Sequence, residues 1–480
     1  NTAIGYTALS TQDGGDGHNT AVGFQAGVAI TTGSQNVIVG SEAGEALTIG
    51  ISNVAVGRGA LATSVDGDYN TAIGFRALQD YEDGDGNGHN TAVGSQSQLN
   101  ASTGEFNTSL GSLSMGLGIT TGDNNVAVGY SAGLDLISGA SNVLVGNYAG
   151  ANITTGLANT SVGHLSLSTN QDGDNNTALG FKALEDFEAD TDGHGNNTAI
   201  GANAMLNAST GTSNTALGAH AMSVGVTTGN SNIAIGYEAG RVITAGQQNT
   251  LVGDYAGLAI TSGSENIALG YNALSTEDAH GKNIAIGRQA LHTLNAGADG
   301  YNVAVGIEAG YAMTTGIQNT LLGSQVGDAL TTGSYNVAIG FQALSSEDSG
   351  GKNVAIGRLA LKDLDAGADA YNIAIGFNAG ENVSTGVQNI IIGGLAGDAL
   401  TTGAENVAIG YRALSTEDAH GKNVAVGFQS LVSLNAGADA YNVAVGHSAG
   451  AEVTIGVNNT IIGGLAGDAI NTGSQNVAVG

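Results

Sequence analysis

Polar and apolar residues alternate in this chain in one short, recurring burst. An Asn, three small, β-branched or aliphatic residues, and a Gly make up a five-residue phrase, Asn-[Thr/Val/Ile]-x-[Ile/Val/Leu]-Gly, seen first as NTAIG at 1–5 and again as NTAVG at 19–23. It occurs 28 times, from Asn1 to Asn476, mostly at steps of 17 residues and otherwise at steps of 18 to 21. A burst this brief, bounded by Asn and Gly, predicts a strand rather than a helix. In a typical unit, NVAVGIEAGYAMTTGIQ at 302–318, a second short strand is expected at YAMTT (311–315), with Gly310 and Gly316 at the corners. Such a unit cannot bury a face alone, but stacked copies can share one core. The predicted fold is therefore all-β: a parallel β-solenoid, or β-roll, of about 28 stacked coils of 17–21 residues.

The phrase also predicts which side chains do what. Its fourth position, as at Ile4, Val22, Val39 and Ile286, never turns polar and is expected to fill the coil interior. The second position, Thr in 12 units, shares that face by strand alternation, with the hydroxyl bonded locally. The Ala between them, as at Ala3 and Ala55, suits close approach by another surface. The leading Asn is expected to form a hydrogen-bonded ladder along the stack, with Asn36, Asn53, Asn142, Asn266, Asn336 and Asn406 as its rungs and the closing Gly40, Gly57, Gly146, Gly270, Gly340 and Gly410 as the matching corners.

A longer rhythm overlies the short one. From Asn266 the steps run 17, 19, 17 and 17, and this 70-residue block recurs from Asn336 and from Asn406 with near-copies of one loop, STEDAHGK (275–282), SSEDSGGK (345–352) and STEDAHGK (415–422). The stretch from Asn70 resembles that from Asn176 over six steps. The expected organisation is one continuous array over 1–480, with sub-blocks 70–175, 176–265, 266–335, 336–405 and 406–475, belonging to a longer chain.

Composition narrows the function. Of 480 residues, 80 are Gly and none is Pro, Trp or Cys, which removes disulfides and thiolate chemistry. The 41 acidic residues against 11 basic ones give a net charge of −30, so nucleic acid and anionic membranes would be repelled. No apolar run reaches the length of a membrane span, so this segment is not expected to insert in a membrane.

The acidic spacers raise metal binding. DGDGNG (83–88), DGDN (172–175) and DTDGHG (190–195) place carboxylates at alternate positions among glycines, as calcium loops do, which makes Asp83, Asp85, Asn87, Asp172, Asp174, Asp190 and Asp192 candidate calcium ligands. A complete EF-hand is excluded, because Gly94 stands where the twelfth ligand belongs. The alternative is a set of solvated turns that keep a fibre soluble. For catalysis, Glu277-Asp278, Glu347-Asp348 and Glu417-Asp418 are the carboxylate pairs to consider, but adjacent residues in an extended loop point to opposite sides. No enzymatic activity is expected. Aromatic residues recur just after the phrase, as at Tyr6, Phe24, Tyr411 and Phe428, where corner packing competes with a glycan-stacking role.

NVAIG-x-x-A, as at 336–343 and 406–413, followed by a Gly-bearing spacer and the same phrase, resembles the head repeats of trimeric autotransporter adhesins and similar repeats in phage tail fibres. The resemblance covers essentially the whole chain, although adhesin heads generally use shorter coils. It implies a left-handed β-roll, three chains side by side, and attachment to host surfaces or matrix. The expected function is thus a structural and adhesive fibre shaft or head, in a homo-oligomer with the trimer favoured, displaying repeated loops to a host surface, glycan or matrix. The expected location is extracellular, on a cell surface or virion fibre. The alternative is a subunit that polymerises into an extracellular filament without a receptor.

Overall fold

A computed structural model describes residues 1–13, 17–82, 87–188 and 195–480, and the chain divides into two compact units, Asn1–Ala245 and Gly246–Gly480. Unit 1 carries β1 (Thr2–Ile4) to β14 (Ile233–Ile235), and unit 2 carries β15 (Thr250–Val252) to β28 (Val477–Val479). Every strand has three residues and coincides with the second to fourth positions of one phrase. Within each unit, successive strands pair in parallel and in register, with Thr2 opposite Thr20 and Ala3 opposite Ala21 in unit 1 and Val337 opposite Val354 in unit 2. Each unit is a parallel β-solenoid with one strand per coil. Among the described residues there is no helix, and none long and apolar enough to cross a membrane.

The Gly that ends each strand is required by the stacking itself. A Cβ on Gly340 would lie 2.5 Å from the carbonyl oxygen of Gly357, and one on Gly40 would lie 2.4 Å from that of Gly57. Both residues also adopt positive φ, 131° and 143°, which L side chains disfavour.

The strand faces are the reverse of the sequence expectation. The middle residue points inward: Ala21, Ala55, Ile38 and Leu144 are fully buried. The fourth position points outward, where Ile4 is 61% exposed, Leu110 50% and Leu179 44%, and Val22, Val39 and Ile286 are only half-buried. The interior is so thin that Ala or Ser usually fills the middle position, and the surface that approaches the Ala column closely is the turn of the same solenoid. Its other wall is the ninth residue of each unit, such as Leu61, Leu78 and Leu291, buried although Leu61 holds a left-handed φ of 53°.

These two positions exchange volume. Wherever the middle residue is large, as at Ile38, Leu144, Leu251, Leu321, Ile391 and Ile461, the ninth is Gly. The phrase before each of these has Ala in the middle and Gly at the ninth, and at Gly310 the space is filled from both neighbouring coils: a Cβ there would lie 2.9 Å from Leu291 Cδ2 and 2.9 Å from Leu321 Cδ1.

The second strand expected at 311–315 is absent, and these residues form turns and bends. Left-handed residues at Glu308 (φ 58°) and Gly310 (φ 60°) curl the backbone too tightly for an extended segment. Coil-to-coil bonding continues regardless, from Ala312 N to Asp328 O at 3.0 Å and from Thr314 N to Thr331 O at 2.8 Å. Gly310 is thus a corner as expected. Gly316 serves a different need, since its Cβ would meet the Gly333 carbonyl oxygen at 2.4 Å.

The Asn ladder is present but bonds chiefly through the backbone. Asn36 Oδ1 accepts from Asn53 N at 2.9 Å, while Asn53 Nδ2 donates to Gly67 O at 2.7 Å. Asn142, Asn266, Asn336 and Asn406 likewise donate their backbone N–H to the Oδ1 of the preceding Asn, at 3.0, 3.0, 2.9 and 3.0 Å. All six of these Asn side chains are buried, as are Asn107 and Asn159, whose Asn-Thr-Ser sequences match the N-glycosylation pattern but are closed to enzymes by that burial.

Candidate functional site

Because the middle residue of each strand turns inward, the second and fourth residues of every strand form the outer face of the sheet. No strand in either unit carries a charged residue, so this face is a stripe of Val, Ile, Leu and Thr. The units differ at its second position. Thr occupies it in nine of fourteen strands of unit 1 and in three of fourteen of unit 2, where Val and Ile replace it. Among the described residues, the local hydroxyl bond expected there is not formed by Thr20, Thr71, Thr91, Thr160 or Thr177. Thr residues in the turns behave differently, since Thr48 and Thr154 donate to the carbonyls of Val65 and Gln171 in the next coil, at 3.1 and 3.2 Å.

Aromatic rings line the corner beside this face. Tyr411, Phe428 and His447 stack in series with ring centroids 5.6 and 4.9 Å apart, and Tyr6 stacks on Phe24 at 5.6 Å. Stacking gives these rings a packing role along the corner, while Tyr411 and Phe428 stay exposed.

A second set of contacts, invisible in the phrase, repeats among the described residues only in unit 2. Glu277 is completely buried; its Oε1 accepts from His280 N at 3.1 Å and its Oε2 from Ala296 N, in the following coil, at 3.1 Å. Glu417 repeats this with His420 N and Ala436 N, both at 3.2 Å. Glu347 does so with Gly350 N at 2.7 Å and Ala366 N at 3.4 Å. Burial raises the pKa of all three carboxyls, and the donated amide bonds oppose that rise. Beside each bracket lies an exposed ion pair. Lys282 Nζ sits 2.6 Å from Asp299 Oδ2 and 3.1 Å from the Tyr301 hydroxyl, and Lys422 repeats it with Asp439 and Tyr441. The Lys282 pair holds the Asp299 carboxyl below its ordinary value.

The candidate calcium residues are placed as follows. Asp83, Asp85, Asp190 and Asp192 lie outside the described residues. Asp174 Oδ1 is taken by Leu157 N at 2.7 Å, and the Asn87 carbonyl accepts from the Tyr81 hydroxyl at 3.4 Å. Among the described residues, the groups with donor atoms close enough to share a cation are instead Glu277, Asp278 and His280, Glu347, Asp348 and Asp365, and Glu417, Asp418 and His420, each within 4.8 Å. The sequence singled out the same carboxylate pairs for chemistry, but Glu277, Glu347 and Glu417 are sealed inside the coil and spend both oxygens on backbone amides. Their structural part was missed because the second amide comes 19 residues later, in the next coil. A Glu at the same place in each 70-residue block was the available sign. Comparison with protein-family models and with curated proteins found no match.

Proposed function

We propose that this chain is a structural and adhesive segment of an extracellular fibre, in which further copies of the chain cover the outer sheet face. The observation that carries this reading is that face: uncharged in every strand, lined by outward Val, Ile and Leu, and present in both units of a chain whose net charge is −30. A contiguous apolar stripe of this kind marks an association surface. Fourteen strands at about 4.8 Å, each about 10 Å long, give each unit a face of roughly 700 Å², close to the ~800 Å² per partner of a standard stable interface.

Left-handed winding and three chains, which the likeness to adhesin heads implies, belong to the same proposal, as does attachment through the loops. The bracketed loops of unit 2, present three times at 70-residue intervals, suit weak multivalent contact with a repetitive host surface, glycan or matrix. Sedimentation and electron microscopy of the purified chain test the reading. Discrete particles with a fixed small number of chains are expected. A monomer at micromolar concentration overturns it, and filaments of indefinite length favour self-polymerisation without a receptor.

A further inference from the structure

The outer face in unit 1 carries a pattern that apolar association alone does not require. Along β1 to β14 the second position runs Thr2, Thr20, then Val37, Val54, then Thr71, Thr91, Thr108, then Val126, Val143, then Thr160, Thr177, Thr198, Thr215, and last Ile233. In-register pairing keeps each run in a straight column, for instance Thr160 beside Thr177 and Thr177 beside Thr198. Among the described residues, the nine hydroxyls of this column have no hydrogen-bond partner, whereas turn threonines do.

We propose that these threonine levels set the register and direction in which copies of the chain associate. The inference rests on the reading that copies cover this face. Apolar area specifies register poorly, because sliding one copy by a single rung along a face of fourteen rungs removes only one rung of contact. The hydroxyls specify it well. When equal rungs face one another in parallel, every Thr meets Thr, and the hydroxyls can satisfy each other as both donors and acceptors. A slip of one rung sets Thr against Val or Ile at five of thirteen facing rungs, and a slip of two does so at nine of twelve. Turning one unit 1 face antiparallel on another mismatches ten of fourteen. Each mismatch strips a hydroxyl of water and offers it an aliphatic group instead, a penalty against the wrong arrangement rather than a gain for the right one. A single polar residue in the seam of a coiled coil fixes register by the same physics. Unit 2, with Thr in only three of fourteen strands, supplies apolar area and little of this discrimination.

The test uses the full chain, which has no cysteine of its own. Val128→Cys and Val162→Cys place single thiols on the outer face two rungs apart, at the fourth position of β8 (Val126–Val128) and β10 (Thr160–Val162). Each is assembled alone, and the two are assembled as a mixture, with a short bismaleimide as cross-linker. Linkage between equal positions is expected to dominate, with little linkage of position 128 to position 162. Replacing all nine unit 1 threonines by Val should lower equal-position linkage several-fold and raise the unequal product, while replacing them by Ser should keep the original pattern. Circular dichroism verifies that each variant retains its strands, and sedimentation its assembly. An assembled nine-Val chain that cross-links like the parent overturns the inference and leaves the association reading standing. A parent chain that sediments as a monomer overturns both.

Discussion

Units 1 and 2 build the same interior under the same rules and differ in almost everything else. Both use a buried Asn ladder, a Gly column in backbone contact with the next coil, and an exchange of volume between the middle and ninth residues of the phrase. Unit 1 varies its step length, puts Thr on its outer face and carries the long acidic spacers. Unit 2 repeats a 70-residue block, puts Val and Ile outward, and locks two loops together with a buried Glu in each block. Stacking therefore fixes what faces inward and leaves the outer face and the loops to diverge.

The largest expected effect tests the shared interior. Gly146→Ala in unit 1 and Gly340→Ala in unit 2 would each place a Cβ within 2.4 or 2.5 Å of a carbonyl oxygen in the next coil. Each should cost about 3 kcal/mol or more, at the steep end for single substitutions. Hydrogen exchange resolved along the chain should show equal loss of protection around each site. Unequal loss would break the view that the two interiors are equivalent.

A smaller effect should separate the units. The three fully buried glutamates all lie in unit 2. Their pKa values are raised above the ordinary 4.5, so each carboxyl favours the fold most when protonated, and that contribution is lost as the pH rises through its folded-state pKa. A chain with Glu277→Gln, Glu347→Gln and Glu417→Gln titrates nothing there. The stability of the parent relative to this variant should therefore decline as the pH is raised from below 4.5 toward neutrality, with the change confined to unit 2 in pH-resolved hydrogen exchange. An advantage that grows with pH would reverse the assignment.

The smallest effect concerns the exposed pair beside the bracket. Lys282→Ala should destabilise unit 2 less than either change above, because a solvated ion pair gains little. The difference in urea midpoint between parent and variant should shrink in concentrated salt.

How much of this was legible in the sequence depended on whether a feature repeats within one phrase. All 28 strands coincide with the phrase to the residue, because the Asn and Gly that bound it are the groups that make the ladder and the corner. The facing of the strand was misjudged because Val-Ala-Val offers two apolar alternatives, and a preference for the larger residues inside overlooks how little room a single thin coil has. The missing second strand has a different origin, since Glu308, left-handed here, is not a residue that announces positive φ. Of the candidate metal positions, four lie outside the described residues, and Asp174 is engaged by a backbone amide from another coil, a contact with no local trace.

The coil with Ala and Gly at the middle and ninth positions and the coil that follows it form an inseparable couple. The first, as at Gly310, has a hollow that its two neighbours enter, Leu291 from one side and Leu321 from the other, with Met313 of its own coil at the edge. Inserting or deleting one member would leave a void the size of a leucine or force two leucines into one place. Coils with Leu at the ninth position stand in runs of differing length between such couples, two in the blocks of unit 2 and longer in unit 1 when Met and Gln are counted with Leu. An array lengthened or shortened without such a defect must add or lose leucine coils singly and couples whole.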